Sequence, residues 1–365
     1  MIKILVTGSA GFIGANLMLR LLESPEPLQL VGLDNLNDYY DPSLKAYRLR
    51  QVEQKAKAHP EHPYVFVRGN IADQALVNQL FRENAFDIVV NLAAQAGVRY
   101  SIENPDVYIE SNVIGFYNIL EACRHNPVEH LVYASSSSVY GGNTKIPFSV
   151  EDRVDNPVSL YAATKKSNEL FAYCYSKLYG IPTTGLRFFT VYGPAGRPDM
   201  AYFGFTNKLL KGQTIQIFNY GNCRRDFTYV DDIVEGIYRV MWKAPISRHS
   251  RLDSTRHAGL DPASQTPDQV GGDEVPYAIY NIGGGQPENL LDFVQTLQEE
   301  LVRAGVLPQD YDFEAHKELV PMQPGDVPTT YADASALERD FGFTPKIPLR
   351  EGLRHFAEWY KAYYG

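Results

Sequence analysis

Short apolar runs alternate with longer amphipathic segments through the first 190 residues of the chain. Residues 2–7 form the first run, and a helical pattern follows from about Gly11 to Glu23. Further apolar runs occupy residues 28–33, 64–68, 86–91, 128–134 and 182–188, and further helical patterns occupy 43–58, 73–83, 105–126 and 158–180. This alternation predicts βαβ units and a parallel sheet covered on both faces. Because such crossovers are right-handed, the expected fold is a doubly wound α/β sheet of the Rossmann type.

The pattern loosens after about residue 191, where prolines and glycines cluster. The elements predicted beyond that point are short strands near 214–218 and 277–282 and helices near 230–243, 289–304 and 348–364. They indicate a second, smaller lobe of mixed α/β structure. We therefore expect a first domain over residues 1–190, to which a segment near 227–245 returns, and a second lobe over 191–226 and 277–365.

Residues 245–276 carry almost no apolar periodicity. Two near-duplicate pieces within this stretch, Arg248–Asp253 and Arg256–Asp261, indicate a duplicated insert. The segment is expected to be a mobile surface loop whose role the sequence leaves open. Its histidines have no thiol or carboxylate cluster to complete a metal site, and we predict no metal anywhere in the chain.

The composition is that of a soluble globular protein, with 44% apolar and 21% charged residues among 365. A net charge of −9 gives no reason to expect a nucleic-acid partner. No apolar run approaches the roughly 18 residues that span a bilayer, and the N-terminus lacks the pattern of a signal peptide. The three cysteines have no disulfide or metal spacing. These features together predict a cytoplasmic protein with no membrane partner.

A glycine-rich turn follows the first strand and opens the first helix. Gly8, Gly11 and Gly14 frame it, and Phe12 and Ile13 begin the helix. Such glycines let the backbone approach a pyrophosphate, which the free N–H groups and the dipole of the helix N-terminus then bind. The turn therefore predicts a dinucleotide site.

An acidic residue at the end of the second strand completes this fingerprint. Asp34 follows Gly14 by 20 residues, the spacing of the carboxylate that accepts from ribose hydroxyls. A carboxylate there repels a 2′-phosphate, so NAD is favoured over NADP. Further cofactor contacts are expected from residues at the ends of the second, third and fourth strands, namely Asn35, Asn70, Ile71, Leu92, Ala93 and Ala94.

Tyr161 and Lys165 are four residues apart in a predicted helix and therefore share one face. A nearby lysine and an oxidised nicotinamide both favour the tyrosinate form. Tyr161 can then take a proton from a substrate hydroxyl while its carbon loses a hydride. A serine from the run 135–138, at the end of the preceding strand, can share that hydrogen bond.

The glycine spacing, the run Ser135–Gly141 and the segment Tyr161–Lys165 together resemble an extended short-chain dehydrogenase/reductase, over essentially the whole chain. More specific runs are similar to those of UDP-glucuronate 4-epimerases, within the wider group of nucleotide-sugar epimerases and dehydratases. These runs are Gln95–Ser101, Gly196–Met200, Arg225–Asp232 and Met322–Pro328. The resemblance implies an NAD-binding domain, a nucleotide-sugar-binding lobe and a UDP-sugar substrate.

The resemblance also implies roles for single residues. Ser136, four residues before Tyr140, takes the position of the catalytic serine or threonine, with Ser138 as runner-up. Asn112 borders the nicotinamide pocket, and Arg225 binds the diphosphate. The remaining residues expected on the substrate side are Arg99, Thr190, Arg197, Gln323 and Asp326, of which Arg197 is the candidate clamp for a sugar carboxylate and Arg99 its reserve. The helices 105–126 and 158–180 are expected to pair with a second copy as a four-helix bundle, which predicts a homodimer.

Several positions depart from relatives and bear on the choice of reaction. Thr190 and Gln323 differ from the Asn and Arg of galactose-type epimerases, and Asn70 stands where many relatives carry Asp. Ala195 replaces a large aromatic expected in the glucuronate group. Dehydratases carry an Asp-Glu pair directly after the catalytic Ser or Thr, where this chain has Ser137 and Ser138.

The expected reaction is therefore NAD-dependent epimerisation of a UDP-sugar at C4 through a 4-keto intermediate, with UDP-glucuronate and UDP-galacturonate as the pair. The alternatives are another nucleotide-sugar epimerase, a dehydratase or a UDP-glucuronate decarboxylase. A non-catalytic dinucleotide sensor is an alternative of another class, and the intact Ser-Tyr-Lys set disfavours it.

Overall fold

The computed structural model describes residues 1–246, 275–323 and 326–365. The strands are β1 (Ile2–Thr7), β2 (Leu28–Asp34), β3 (Tyr64–Arg68), β4 (Ile88–Asn91), β5 (His130–Ser136), β6 (Thr183–Phe188), β7 (Thr190–Tyr192), β8 (Ile215–Ile217), β9 (Arg224–Tyr229), β10 (Tyr277–Ile282), β11 (Pro287–Asn289) and β12 (Lys317–Leu319). The helices are α1 (Phe12–Leu21), α2 (Pro42–Ala58), α3 (Gln74–Asn84), α4 (Tyr100–Glu103), α5 (Asp106–Tyr108), α6 (Gly115–His125), α7 (Leu160–Tyr179), α8 (Ala201–Leu210), α9 (Val230–Met241), α10 (Leu290–Arg303), α11 (Ser335–Phe341) and α12 (Leu349–Tyr364). The predicted insert 245–276 lies, apart from its ends, outside the described residues.

A seven-stranded sheet in the order β10-β6-β5-β4-β1-β2-β3 forms the centre of the molecule, and its neighbouring strands pair in parallel. The strand order reverses between β1 and β4, whose ends meet at Thr7 and Asn91. In a doubly wound sheet this reversal opens a crevice at the carboxyl ends of the strands, where ligands bind. The predicted fold class, a doubly wound parallel sheet of the Rossmann type, is confirmed.

The smaller lobe contains two short sheets. In the order β11-β9-β7, β9 pairs in parallel with β7 and antiparallel with β11, while β12 pairs in parallel with β8. One buried apolar cluster runs from Val6 and Leu17 in the large domain to Phe203, Phe293 and Phe356 in this lobe. The two parts therefore share a core.

The predicted domain boundary needs one correction. Residues 277–282 were assigned to the smaller lobe, but β10 pairs with β6 along its whole length as the edge of the central sheet. An apolar run of six residues predicts a strand without indicating which sheet it joins. The rest of the division into domains stays a prediction.

The stretch predicted as one helix over 105–126 is divided. After α5, residues Ile109–Ile114 form a π-helical segment, and α6 begins only at Gly115. Single π-helical turns inside helices are rare and are often found at functional sites. The sequence pattern also missed α8 and the short helix α11, which has a single buried residue, Leu337.

Candidate active site

The glycine-rich turn is folded back tightly on itself. Gly8 has a φ of +69°, and its N–H donates to the carbonyl oxygen of Leu33 at 2.7 Å, which ties the turn to β2. A Cβ on Gly14 would collide with the carbonyl oxygen of Gly8. Gly11 is the N-cap of α1 and supplies no side-chain cap, so the first N–H groups of the helix stay available to an anion. This cradle, which only glycines permit, fits a dinucleotide diphosphate.

Asp34 links this turn to the ribose position. Its side chain is buried, and its carboxylate accepts from the N–H of Ala10 at 3.1 Å and from the N–H of Leu36 at 2.8 Å. A carboxylate oxygen can accept more than one hydrogen bond, so acceptor capacity remains for ribose hydroxyls. Asp34 thus holds the phosphate turn, and its role in recognising the cofactor ribose stays a prediction.

A cavity of about 240 Å³ runs over this turn. The predicted cofactor residues on its wall are Gly8, Gly11, Phe12, Ile13, Gly14, Asp34, Asn35, Asn70, Ile71, Leu92, Ala93, Ala94, Tyr161 and Lys165. The structure therefore brings together residues of α1, β2 and α7 and of the loops after β1, β3 and β4, which lie far apart in sequence.

Asn112 does not line this cavity. It lies in the π-helical segment, where its side-chain oxygen accepts from the N–H of Gln95 at 2.8 Å. Its amide nitrogen donates to the carbonyl oxygen of Gln95 and to Thr164 of α7. Asn112 therefore connects the end of β4 to the helix of Tyr161, and its polar atoms face protein groups.

Lys165 is buried at the inner end of α7. Its Nζ donates to the carbonyl oxygen of Ala134 at 2.9 Å, and burial lowers the pKa of its ammonium to about 8. Burial also raises the pKa of Tyr161, while a hydrogen bond with Ser136 and the charge of Arg197 oppose that rise. The tyrosine is thus poised between a desolvating environment and groups that favour its anion.

Ser136 and Ser138 occupy different places. Ser136 faces Tyr161, and its Oγ accepts from the Oγ of Ser138 at 2.9 Å and from the N–H of Ser138 at 3.2 Å. Ser138 therefore supports Ser136, which favours Ser136 as the partner of the reacting oxygen. The roles of both serines remain predictions.

A buried ion pair that the sequence analysis missed supports the serine strand. Glu169 of α7 accepts from Arg187 of β6 at 2.8 and 2.9 Å and from the Oγ of Ser135 at 2.7 Å. Arg187 also donates to the hydroxyl of Tyr140 at 3.0 Å. The pair locks α7 against β5 and β6, and breaking such a buried pair is strongly destabilising. Its only sequence signal is that Glu169 continues the spacing of Tyr161 and Lys165 on one helix face.

A second cavity of about 810 Å³ adjoins the first and extends into the smaller lobe. The predicted substrate and catalytic residues on its wall are Arg99, Ser136, Ser138, Tyr161, Thr190, Arg197, Arg225, Gln323 and Asp326. Of these, Ser136, Tyr161 and Arg197 line both cavities. The candidate base therefore lies at the junction, where a cofactor and a substrate would meet.

Arg197 is held at this junction by an acid. Its Nε and Nη2 donate to the carboxylate of Asp199 at 3.0 and 2.6 Å, and the Tyr39 hydroxyl donates to the same carboxylate at 3.2 Å. Although burial opposes it, the charge of Arg197 holds the pKa of Asp199 below its usual range. The pair thus fixes the plane of the fork relative to its own loop.

The far end of the second cavity carries a cluster of three charges. Asp326 accepts from Arg225 at 3.2 Å, and its other oxygen lies 3.6 Å from Nη2 of Arg99. The Arg99 guanidinium also lies 4.9 Å from the ring centre of Phe218. Two guanidinium groups around one carboxylate leave a local positive charge, which suits a diphosphate even though the net charge of the chain is −9.

Comparison with known proteins is consistent with this geometry. The model of the NAD dependent epimerase/dehydratase family matches residues 4–250. The chain belongs to this family. It is 47% identical to the protein CapI of Staphylococcus aureus over 362 residues, which are 99% of each chain. It is 44% identical to UDP-glucuronate 4-epimerase 4 of Arabidopsis thaliana, covering all of this chain and 76% of that protein.

A solved structure of the same family has a similar fold. The UDP-glucuronic acid 4-epimerase of Bacillus cereus, in complex with UDP-glucuronic acid and NAD, superposes with a TM-score of 0.79 at 29% identity over 99% of both chains. The predicted cofactor, NAD, is confirmed by membership of an NAD-dependent family whose solved structures contain it.

The wall of the first cavity also contains four residues that the sequence analysis missed. Asn37, Tyr39 and Tyr40 lie in the loop that follows β2, and Lys45 lies near the start of α2. The buried Lys45 donates from Nζ to the Asn37 side chain at 2.5 Å. The rule that ligands bind beyond the carboxyl ends of parallel strands was the signal that could have found this loop.

Proposed function

We propose that the protein catalyses the NAD-dependent interconversion of UDP-glucuronate and UDP-galacturonate by epimerisation at C4. The observation that carries the proposal is the meeting of Tyr161, Ser136 and Arg197 on the wall shared by both cavities. A base for a sugar hydroxyl and a guanidinium for a sugar carboxylate lie side by side there. The Bacillus cereus and Arabidopsis thaliana relatives support this sugar nucleotide as the substrate.

NAD fits the smaller cavity. The glycine cradle and the N-terminus of α1 would hold its diphosphate, and Asp34 would accept from its adenosine ribose. The bound cofactor supplies a hydride acceptor for C4 of the sugar and, once reduced, a hydride donor to the same carbon. Lys165 and Tyr161 would flank its nicotinamide end.

The chain's own residues manage the proton. Tyr161, as the phenolate, takes the proton of the C4 hydroxyl as the C4–H bond breaks, which leaves a 4-keto sugar. Ser136 donates a hydrogen bond to the same oxygen and steadies it in both forms. When the hydride returns to C4 from the opposite face of the ring, Tyr161 gives its proton back to that oxygen, so no proton or electron is lost overall.

Inversion requires the keto sugar to turn over inside the site. The second cavity is more than three times larger than the first, at about 810 against 240 Å³. Arg225, Asp326, Arg99 and Gln323 would hold the UDP part at its far end while the sugar rotates at the near end. The pivot is then the diphosphate, and only the sugar changes its contacts.

The carboxylate of the substrate needs its own partner. Arg197 is adjacent to Tyr161, whereas Arg99 is engaged with Asp326 at the opposite end. We therefore assign the carboxylate to Arg197, with Thr190 beside it on the cavity wall. A guanidinium fork pairs with a carboxylate through two parallel hydrogen bonds, which selects uronates over neutral sugars.

We also propose that the protein is a cytoplasmic homodimer. Exposed apolar side chains concentrate on α4, the π-helical segment, α6 and α7, namely Ile102, Ile109, Ile114, Tyr117, Leu170, Tyr173, Leu178 and Tyr179. Exposed apolar side chains concentrated on neighbouring helices favour a partner copy. The three cysteines are unpaired, as in a reducing compartment. Within the described part of the chain, no helix has the length and hydropathy to cross a bilayer.

Separate incubations with UDP-glucuronate, UDP-glucose and UDP-N-acetylglucosamine, followed by chromatography of the products, test the reaction. We expect UDP-galacturonate from the first and at most slow turnover of the others. A 4-keto-6-deoxy product would identify a dehydratase, and UDP-pentose as the main product would identify a decarboxylase. No turnover of any of the three would overturn the proposed function.

A further inference from the structure

Arg48 is a buried cation between two functional loops. It lies on α2 with only 2% of its surface exposed. Its Nη1 donates to the carbonyl oxygen of Ala10, in the phosphate turn, at 3.3 Å. Its Nε and Nη2 donate to the carbonyl oxygens of Ala195 and Gly196 at 2.8 and 2.9 Å, directly before Arg197. One side chain therefore joins the cofactor loop to the loop of the carboxylate clamp.

Within residues 1–246, 275–323 and 326–365, no acid pairs with this guanidinium. Among the described residues, none places a carboxylate oxygen within 4 Å of it; the remaining contact is the Tyr40 hydroxyl, at 2.6 Å. Burying a cation without a counter-ion is costly, and it persists where it serves a ligand or a specific geometry. Lys45, one helical turn away, is also buried and shares the region with Asp34.

The second loop needs this support to keep its shape. Ala195 has a φ of +51°, a left-handed conformation that costs free energy in a residue other than glycine. A Cβ on Gly196 would collide with the Tyr202 hydroxyl, so only glycine fits at this position. The carbonyl oxygens of Ala195 and Gly196 both accept from Arg48. These hydrogen bonds set the direction of the backbone at the next residue, Arg197, and so place it at the cavity junction.

We propose that Arg48 is a positioning residue that couples cofactor binding to recognition of the substrate carboxylate. A dinucleotide that orders the phosphate turn fixes the carbonyl of Ala10, which fixes the guanidinium plane of Arg48. The fixed plane holds Ala195 and Gly196, and through them Arg197. The inference rests on the proposed function, because it assigns the carboxylate to Arg197.

This coupling predicts that NAD strengthens the binding of a uronate more than the binding of a neutral sugar. Both UDP-sugars would contact the nicotinamide. The difference between the effects of NAD on their binding therefore measures the contribution of Arg197 to carboxylate recognition. Binding of UDP-glucuronate and UDP-glucose is measured by calorimetry with and without NAD, in a Tyr161→Phe background that prevents turnover. We expect NAD to increase the affinity for UDP-glucuronate by a factor about 5-fold or more larger than its effect on the affinity for UDP-glucose.

Three variants in that background test the residue. Arg48→Met keeps the apolar stem and should abolish the excess effect on UDP-glucuronate. Arg48→Lys keeps the charge without the fork; it should retain more NAD affinity than Arg48→Met and still lose the coupling. Arg50→Met, at an exposed arginine on the same helix, is the matched control and should behave as the parent. Circular dichroism establishes that each variant is folded. If Arg48→Met does not fold, Arg48→Lys alone tests the loss of coupling.

A double-mutant cycle separates coupling from general damage. If Arg48 acts through Arg197, Arg48→Lys should add little to the loss of UDP-glucuronate binding in Arg197→Ala. A purely structural role would weaken UDP, UDP-glucose and UDP-glucuronate alike. Undiminished coupling in folded Arg48→Lys, or no excess effect of NAD in the parent, overturns the proposal. The product assay on the wild-type protein judges the proposed function separately, because UDP-galacturonate can form whether or not the sites are coupled.

Discussion

The carboxylate of Asp199 accepts two hydrogen bonds from one edge of the Arg197 guanidinium, from Nε at 3.0 Å and from Nη2 at 2.6 Å. A guanidinium carries five N–H donors, so the donors on the Nη1 edge remain available to a second carboxylate. The pairing lowers the net charge of the site, yet it also fixes the plane of the fork. A fork whose plane is fixed relative to its own loop loses less side-chain entropy on binding than a free one.

Replacing Arg197 by Ala should weaken the binding of UDP-glucuronate much more than the binding of UDP. Loss of one buried hydrogen-bonded charge partner costs about 2–5 kcal/mol of binding free energy. Oxidation at C4 makes the substrate a β-keto acid, and an unrestrained carboxylate can align with the carbonyl and leave as carbon dioxide. The fraction of UDP-pentose among the products should therefore rise. Chromatography of UDP-galacturonate and UDP-pentose measures both effects, and wild-type binding and partitioning in this variant would place the clamp elsewhere.

Replacing Tyr161 by Phe should remove the base and keep the ring. The cavity contacts of the ring persist, so NAD binding should be unchanged. Loss of a general base typically lowers kcat by about 10²–10⁴-fold. Stopped-flow or steady-state assays with UDP-glucuronate supply kcat, and fluorescence titration supplies NAD affinity. Turnover near the wild-type rate would exclude Tyr161 as the base.

Replacing Asp34 by Asn should reduce the preference for NAD. The substitution keeps one oxygen acceptor for Ala10 or Leu36 and removes the charge that repels a 2′-phosphate. A charge-assisted hydrogen bond contributes about 1.5–3 kcal/mol, so NAD affinity should fall by roughly 10–100-fold, while NADP loses less. Titration of both cofactors checks this. If the wild-type protein binds them equally, the role of Asp34 is wrong.

The elements up to about residue 190 could be predicted because they depend on local patterns. The apolar run of β1 and the period of α7 both reflect burial against the sheet, which the sequence encodes directly. The glycine turn and Asp34 were predictable for a related reason: their spacing is set by the length of one helix and one strand.

Contacts that arise only from tertiary packing could not be predicted in this way. Arg48 reads as an ordinary polar position on an amphipathic helix until the fold brings Ala10 and Ala195 to either side of it. The hydrogen bonds of Asn112 with the backbone of Gln95 likewise arise only in the fold, and its place beside the nicotinamide stays a prediction. β10 illustrates the same limit, because strand pairing across a long excursion leaves no local signal.

The proposed dimer can be tested on two exposed leucines of α7. Leu178 is 70% exposed and Leu170 is 54% exposed, both on α7. A Leu178→Asp, Leu170→Asp double variant should convert a particle of twice 41.1 kDa into one of 41.1 kDa in light scattering at micromolar concentration. Leu319→Asp changes a 45% exposed leucine in the smaller lobe and should leave the dimer intact. A wild-type particle of 41.1 kDa would refute the dimer.

His130 should make the folded state sensitive to acid. Its ring is 1% exposed and bridges the carbonyl of Met241, 3.1 Å from Nδ1, and the Thr184 hydroxyl, 2.8 Å from Nε2. Burial lowers its pKa from 6.5 to about 4. Between those pH values the unfolded chain binds a proton that the folded chain does not, so stability rises with pH there and is lost as pH falls.

Over that whole interval the loss is about 3 kcal/mol. His130→Gln removes the titrating group and should flatten the dependence of the unfolding free energy on pH below 6.5, whatever its effect at pH 7.5. His125→Gln, at an exposed histidine, is the matched control and should retain the wild-type slope. Urea unfolding at several pH values from 4.5 to 7.5 gives the slopes. Equal slopes for His130→Gln and the wild type would mean that His130 binds its proton equally well in the folded and unfolded chains.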